Sequence, residues 1–316
     1  MTKQPGKLPT NIVTTLTAQD HPTGLSIVIP AYNEEGAIAD VLMQLFAILE
    51  HVAPLAYEVI VVDDGSKDAT ARVVAGFEHV TVLRHRTNHG YGAALKTGIR
   101  HARYQYVCIT DADGTYPNER IPDLFDYMTS NEYDMVIGAR TGENVAIPLV
   151  RRPAKWVINQ LANYVAGEPI PDLNSGLRIF RLDAALRLFD ILPDGFSFTT
   201  TITLAMLTNH YMVDYVPINY HARIGKSKIK PIQDTLNFVQ LVFRIALYFA
   251  PLKIFLPFSG LLIGVAALWA LFSRFVLGLL ADVSTLVIAM TGIQIAMIGM
   301  LAELINRRLS NVYRKE

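Results

Sequence analysis

The chain has 316 residues, enough for one large domain or two modest ones. Lys plus Arg and Asp plus Glu both total 28, so the basic excess that marks nucleic-acid binders is missing and no nucleic-acid partner is expected. The single cysteine, Cys108, excludes an intrachain disulfide and any multi-cysteine metal site, and reads as a small apolar strand residue.

Residues 1–24 are polar, with Thr and Pro and no apolar h-region. They predict a flexible arm rather than a secretory signal, with the polar part of the chain in the cytoplasm. A strand is expected over 25–29, closed by Pro30. A helix follows over 34–51, where Ile38, Val41, Leu42, Leu45, Phe46 and Leu49 recur at helical spacing. Residues 57–62 form a second strand ending in Asp63-Asp64-Gly65-Ser66, and 68–77 a helix opened by a Ser-Lys-Asp capping pattern. Strands over 80–84, 106–109 and 135–138 alternate with helices over 93–103 and 118–128.

Alternation with short connections predicts an α/β fold, a mostly parallel sheet with helices on both faces. Ligands bind such sheets at the carboxyl ends of the strands. Polar clusters sit at those ends: Tyr32-Asn33-Glu34, Asp63 to Ser66, Asn88 to Gly90, Asp111 to Gly114, and Arg140. Buried strands that carried carboxylates without a use would bear a desolvation cost for nothing. Gly90 and Gly92 read as close helix–sheet packing rather than a phosphate loop. Lys96 reads as a solvated helix residue.

Further on, a helix is expected over 151–167, an irregular Pro-Ile-Pro-Asp-Leu-Asn-Ser-Gly stretch to residue 176, a strand over 177–180, helices over 183–189 and 198–207, and a strand over 212–220. Residues 223–230, Arg-Ile-Gly-Lys-Ser-Lys-Ile-Lys, form a basic flexible segment. An apolar stripe over 233–249 predicts an amphipathic helix at a membrane interface. The runs 252–272 and 283–301 have the length a bilayer needs. Pro257 is placed to kink the first, and Gln294 in the second calls for a partner from the other helix or a second copy, which would make a homo-oligomer. Basic residues flank the outer ends and only Arg274 lies between, so both termini are expected in the cytoplasm.

The sharpest chemical signal is Asp111-Ala112-Asp113-Gly114 after the apolar run of the fourth strand. In extended chain the two aspartates share a side. They either neutralise each other's repulsion with a hard cation or form an Asp-rich turn that caps the next helix.

Three segments in order then carry a resemblance: Ile29-Pro30-Ala31-Tyr32-Asn33-Glu34, Val62-Asp63-Asp64-Gly65-Ser66-Lys67-Asp68-Ala69-Thr70 and Asp111-Ala112-Asp113. They resemble the signatures of glycosyltransferase family 2. Asn174-Ser175-Gly176-Leu177-Arg178 and Arg223-Ile224-Gly225-Lys226-Ser227-Lys228 extend the match over about 25–230. With the membrane runs, the layout is similar to the dolichol-phosphate mannose synthase branch, the polyprenyl-phosphate glycosyltransferases. The resemblance implies a GT-A fold at 25–230, an interface helix at 231–250 and a membrane hairpin with a basic tail at 251–316.

It also implies the chemistry: an inverting transfer of one hexose from a nucleotide sugar, of the GDP-mannose or UDP-glucose type, to polyprenyl or dolichyl phosphate at the lipid bilayer. Asp111 and Asp113 would hold Mg²⁺ or Mn²⁺, with Asp111 alternatively on the ribose. Relatives carry a Gln two residues after the second aspartate; here Thr115 stands there. Pro30, Tyr32 and Glu34 would frame ribose and base, with Asp63 beside them and Asp64 accepting from a base N–H. The plainer readings are helix-dipole pairing for Glu34 and capping for Asp63. Arg140, Arg178, Arg223 and Lys228 would screen the phosphates, Ser175 and Ser227 would contact the acceptor, and the lysines would equally attract anionic lipid headgroups. Asp172 is the alternative general base, although a phosphate monoester is already mostly anionic at neutral pH. A processive polysaccharide synthase is the neighbouring possibility, but its Gln-x-x-Arg-Trp motif is missing from the sequence. A non-catalytic nucleotide-binding membrane adaptor would have no use for the acid pair.

Overall fold

The computed structural model describes residues 21–50, 55–141, 152–220, 240, 243, 244, 246–248, 250–278 and 282–314. Residues 1–20 of the expected arm and most of the expected interface helix therefore lie outside the described residues, as does the basic segment 223–230.

In chain order the strands are β1 (Leu25–Ala31), β2 (Tyr57–Asp63), β3 (Val80–Arg84), β4 (Tyr106–Ile109), β5 (Met135–Ala139), β6 (Arg178–Arg181) and β7 (Val213–Pro217). They form one sheet in the order β3-β2-β1-β4-β6-β5-β7. All neighbours are parallel except β6, which runs antiparallel to both β4 and β5. The helices are α1 (Ile38–Leu49), α2 (Thr70–Val74), α3 (Tyr91–His101), α4 (Ile121–Ser130), α5 (Arg152–Ala166), α6 (Leu182–Arg187) and α7 (Phe198–Thr208).

The period-two pattern of the central strands sorts the core. Ile27, Ile29, Val59 and Val61 face one layer with Leu42, Leu45, Ile121 and Leu124 of α1 and α4. Val28, Ile60 and Val62 face the other, with Leu95, Ile99, Phe198 and Ile202 of α3 and α7. Both faces are covered, as a parallel sheet requires. Gly98 lets α3 lie close on the sheet, since a Cβ there would come within 2.3 Å of Val28 Cγ1.

Two helices are shorter than their periodicity predicts. The helix expected over 34–51 starts at Ile38, and that expected over 68–77 is only Thr70–Val74. At their N-terminal ends the reason is polar, since residues 33–35 and 66–70 bond to each other as described below; α2 also ends early, in turn bonds from Gly76 to Val73 and from Phe77 to Val74.

The two apolar runs are helices α8 (Leu252–Phe272, continued as a π turn over Ser273–Leu277) and α9 (Asp282–Arg314). Their stretches Leu252–Leu277 and Val283–Ile305 are long and apolar enough to cross a bilayer. α9 outruns the expected 283–301 because polar residues continue its helix. The pair packs through small residues: a Cβ on Gly299 would meet Phe255 Cβ at 2.5 Å, and Ser259 Oγ donates to the Gly292 carbonyl at 2.7 Å. Gln294, for which the other helix or a second copy was expected as partner, is exposed on α9.

Lys253, in the first turn of α8, ties this pair to the α/β part. Its Nζ donates to the carbonyls of Tyr164 at 3.2 Å and Val165 at 2.7 Å, at the C-terminus of α5. Tyr164 returns a bond from its hydroxyl to the Lys253 carbonyl at 2.7 Å. A cation on the orphan carbonyls of a helix end is favourable on both hydrogen-bond and dipole grounds. Lys253→Met removes both donated bonds and is expected to cost about 1 kcal/mol. The check is the denaturation midpoint of the detergent-solubilised protein, which should fall while sheet content by circular dichroism stays the same.

Candidate active site

The fourth strand stops after Ile109 because Thr110 turns inward, its hydroxyl donating to Asn118 Oδ1 at 2.7 Å. The chain then reverses at Gly114, whose φ of +70° suits glycine. Asp113 Oδ1 accepts from the Thr115 N–H at 3.1 Å and the Thr115 hydroxyl at 2.6 Å. Thr115 is thus buried beside Asp113 and orients it.

Asp111 sits where three segments meet. Tyr91, the first residue of α3, donates its hydroxyl to Asp111 Oδ1 at 3.0 Å. The backbone of Gly176 passes directly beneath; a Cβ there would lie 3.1 Å from each Asp111 carboxylate oxygen and 3.0 Å from the Tyr116 ring. The Gly176 N–H donates to the Tyr116 hydroxyl at 2.6 Å. Burial, then the charge of Asp111, pushes the Tyr91 and Tyr116 hydroxyls well above the ordinary tyrosine range, so both stay protonated.

Beside this group lies an ion pair. Arg140, just past β5, donates from Nε and Nη2 to the two oxygens of Asp172 at 2.7 and 3.0 Å, and from its backbone N–H at 3.0 Å. The Asn174 N–H adds a fourth bond at 3.1 Å. The guanidinium lies 5.3 Å from the centroid of the Tyr220 ring, which meets Tyr116 edge-on at 5.3 Å. Burial works to raise the Asp172 pKa, but the bonds and charge of Arg140 outweigh it and hold the carboxyl below the ordinary range. Burial likewise works to lower the Arg140 pKa, and Asp172 outweighs it. Asp172, expected as an alternative general base, is thus engaged by four donors and anchors Arg140.

Arg178 and Ser175 are not at the surface where a phosphate contact was expected. Arg178 is wholly buried; Nε donates to the Ser175 carbonyl at 3.2 Å, Nη1 to the Thr199 carbonyl and Thr203 Oγ1 at 3.0 and 2.8 Å, and Nη2 again to Ser175. Desolvation lowers its pKa. Ser175 Oγ donates to the Gly138 carbonyl at 2.5 Å. Together they pin the 172–176 stretch between β5, β6 and α7, beneath Asp111. The threonines in the first turn of α7 also turn inward, with Thr200 Oγ1 donating to Asn174 Oδ1 at 2.6 Å.

At the first two strand ends the loops interlock. Asn33, at φ 56°, accepts from the Lys67 N–H and donates its own N–H to Ser66 Oγ; the Glu34 N–H reaches Thr70 Oγ1, and Glu35 exchanges bonds with Asp68 and Ala69. Tyr32 and Glu34 are half-buried at this rim, with Pro30 in β1 beneath them. Asp63 Oδ1 accepts from the Ser66 N–H at 2.9 Å, closing its own turn rather than capping α2; Arg84 Nε lies 3.1 Å from Oδ2, an ion-pair distance without hydrogen-bond alignment. The buried Asp64 carboxylate, expected to meet a base N–H, takes His85 Nδ1 at 2.6 Å and the His89 and Gly90 N–H groups at 2.9 and 2.8 Å, so it organises the 85–90 loop.

Gly90 and Gly92 are crowded not by the sheet but by a strap over 193–195; a Cβ on Gly92 would lie 2.1 Å from the Pro193 carbonyl oxygen. Lys96 pairs with Asp194 of the same strap at 2.7 Å rather than pointing into solvent. Arg223, Ser227 and Lys228 lie outside the described residues.

Residues 26–189 match the family model described as glycosyl transferase family 2. The chain belongs to that family.

Among family 2 relatives, the low-salt glycan biosynthesis hexosyltransferase Agl6 of Haloferax volcanii is 30% identical over 250 residues, covering 77% of this chain and 58% of its own length. The dolichyl-phosphate beta-glucosyltransferase of Dictyostelium discoideum is 26% identical, covering 70% of this chain and 73% of its own. The dodecaprenyl-phosphate galacturonate synthase of Rhizobium johnstonii is 27% identical, covering 90% and 88%. In fold, the chain is similar to mannosyl-3-phosphoglycerate synthase from Rubrobacter xylanophilus (TM-score 0.56, 20% identity, 71% of this chain and 74% of that one). It is equally similar to glucosyl-3-phosphoglycerate synthase from Mycobacterium tuberculosis, solved with Mn²⁺, UDP and phosphoglyceric acid (TM-score 0.55, 17% identity, 71% and 78%). The GT-A expectation is thereby met.

For a family 2 site, the donor set at β4 suits a hard divalent ion. Among the described residues no group of three or more His, Cys, Asp or Glu side chains is placed to hold a metal. Two carboxylates on one rim match a Mg²⁺-type ion that completes its shell with phosphate and water. Sequence reasoning missed Tyr91 and His85, which touch Asp111 and Asp64 from elsewhere in the chain, and assigned no contact to the hydroxyl of Thr115, which donates to Asp113. A phenol or imidazole bonded across a fold leaves no local spacing to read.

Asp172→Asn is expected to destabilise the protein by about 2–3 kcal/mol at pH 7, because Arg140 loses its counter-charge in a largely buried setting. The low folded-state pKa means the wild-type advantage is complete above the ordinary carboxylate value of about 3.9 and is lost as pH falls through the lower folded-state value. Urea midpoints of both proteins across that range should converge in acid.

Proposed function

We propose that this protein is an inverting, membrane-anchored glycosyltransferase that moves one hexose from a nucleotide sugar to polyprenyl or dolichyl phosphate. The observation that carries the reading is the Asp111–Asp113 pair, oriented by Thr115 and Tyr91 on the rim of a family 2 sheet whose chain ends in two bilayer-length helices. The relatives' names point the same way, to transfer onto lipid phosphates.

In this reading 25–230 is the catalytic unit, 231–250 an interface helix and 251–316 the anchor, with 1–24 as an arm and both termini cytoplasmic. Pro30, Tyr32, Glu34, Asp63 and the loop organised by Asp64 frame the nucleoside. Asp111 and Asp113 hold Mg²⁺ or Mn²⁺, which when bound supplies Lewis-acid stabilisation to the diphosphate leaving group. Arg140, fixed by Asp172, keeps a permanent positive charge beside that group. Arg223, Ser227 and Lys228 meet the acceptor phosphate. An oxygen of that phosphate attacks the anomeric carbon as the bond to the donor's β-phosphate oxygen breaks, so the nucleoside diphosphate leaves and the configuration inverts. The nucleophile is already anionic near neutral pH, so no side-chain base is assigned.

Full-length protein in detergent with Mn²⁺ or Mg²⁺, UDP-glucose or GDP-mannose and polyprenyl phosphate should form a lipid-linked hexose. Asp113→Ala should lower the rate by roughly a thousandfold, the scale of losing a major charge-stabilising group. Undiminished turnover by Asp113→Ala would overturn the assignment, and products longer than one sugar by mass spectrometry would point to a processive synthase.

A further inference from the structure

Phe196 is 82% exposed, more than any other large apolar side chain among the described residues, those of the bilayer-length helices included. A lone exposed phenyl ring needs no explanation by itself. This one is held in place. Its ring stacks on Tyr91 with centroids 5.7 Å apart and planes within 18°. Tyr91 in turn donates to Asp111. The strap that carries Phe196 is fastened to the start of α3: the Ala93 N–H donates to the Asp194 carbonyl at 3.0 Å, Lys96 holds the Asp194 carboxylate, and Gly90 and Gly92 have no room for a Cβ against it. One face of the Phe196 ring is taken by Tyr91, and the side chain as a whole remains open to solvent.

Chain placement separates the donor from the lipid as occupant. α3 packs on β1 and β2, the half of the sheet whose strand ends frame the nucleoside in the proposed reading. The bilayer-length helices join the molecule at α5, which packs on α7 toward β7. Phe196 is therefore anchored to the donor half. A hexose on a diphosphate lies one bond from the group that Asp111 and Asp113 face. Hexoses expose a face of C–H bonds that packs on an aromatic ring, and the electron-rich face suits a sugar ring acquiring positive character at its anomeric carbon.

We propose that Phe196, backed by Tyr91, is the platform on which the donor's hexose ring rests, and that it sets which sugar is accepted rather than which nucleotide. This rests on the sugar-nucleotide reading above.

The test compares full-length wild type, Phe196→Ala and Phe196→Tyr in detergent with Mn²⁺. Dissociation constants are measured for UDP-glucose and GDP-mannose, and for UDP and GDP as sugar-free controls; the polyprenyl phosphate KM is measured separately. Phe196→Ala should bind whichever sugar nucleotide the wild type binds roughly three- to tenfold more weakly, the scale of one lost aromatic contact. Its affinity for UDP or GDP and its acceptor KM should be unchanged, and Phe196→Tyr should restore donor binding. Equal weakening with and without the sugar, a change confined to the acceptor KM, or no change in an active enzyme would each overturn the platform alone. Wild-type protein that binds neither sugar nucleotide would overturn the platform and the donor reading together.

Discussion

The contact on which the site depends is the passage of the Gly176 backbone under the Asp111 carboxylate. That approach exists because β6 runs against its neighbours and enters the sheet between β4 and β5. The chain reaching β6 must cross the carboxyl end of β4, where the acid pair stands, and no side chain fits in the crossing. Everything that steadies the crossing serves the acids: Tyr116 takes the Gly176 N–H, Ser175 bonds to Gly138, and Arg178 clasps the Ser175 carbonyl from below.

Arg178 illustrates a division of labour between two buried cations. Arg140 has a carboxylate partner and an aromatic neighbour and remains part-exposed, so its charge is available at the rim. Arg178 is satisfied by carbonyls and a hydroxyl inside the core. A guanidinium with several neutral acceptors can be buried at tolerable cost because its fork matches them geometrically. The two arginines look alike in sequence, each beside the end of a strand, and only the depth of the strand end separates them.

Much of the fold was legible because it rests on local periodicity. The strands over 57–62, 80–84 and 106–109 and the apolar helix α8 stand within a residue or two of their expected bounds, since apolar alternation and helical spacing are written in consecutive residues. The late starts of α1 and α2 were not legible, because their first residues went into bonds between loops more than thirty residues apart. Of the candidate site, the positions of the Asp111–Asp113 pair and of Arg140 at strand ends were readable. The inward turns of Ser175, Arg178 and Asp64 were not: a polar residue beside either terminus of a strand looks the same whether its partner is a ligand or the chain's own backbone. The strap at 193–196 escaped notice for the same reason, its grip on α3 resting on backbone atoms, missing Cβ groups and side-chain contacts made across about a hundred residues.

The Lys253 clasp has a mechanical consequence. It fixes the final turn of α5 at hydrogen-bond distance from the opening turn of α8, and α5 in turn leans on α7 through Leu161, Ala162, Leu204 and Leu207. In membranes of unequal thickness, a spanning helix adjusts by changing its inclination. If α8 and α9 cross a bilayer as proposed, such an adjustment cannot stay within the lipid: it must either pull α5 along or break the ammonium's hold on two carbonyls. Altitude above the headgroups and the posture of the anchor are thus geared together, at a single lysine.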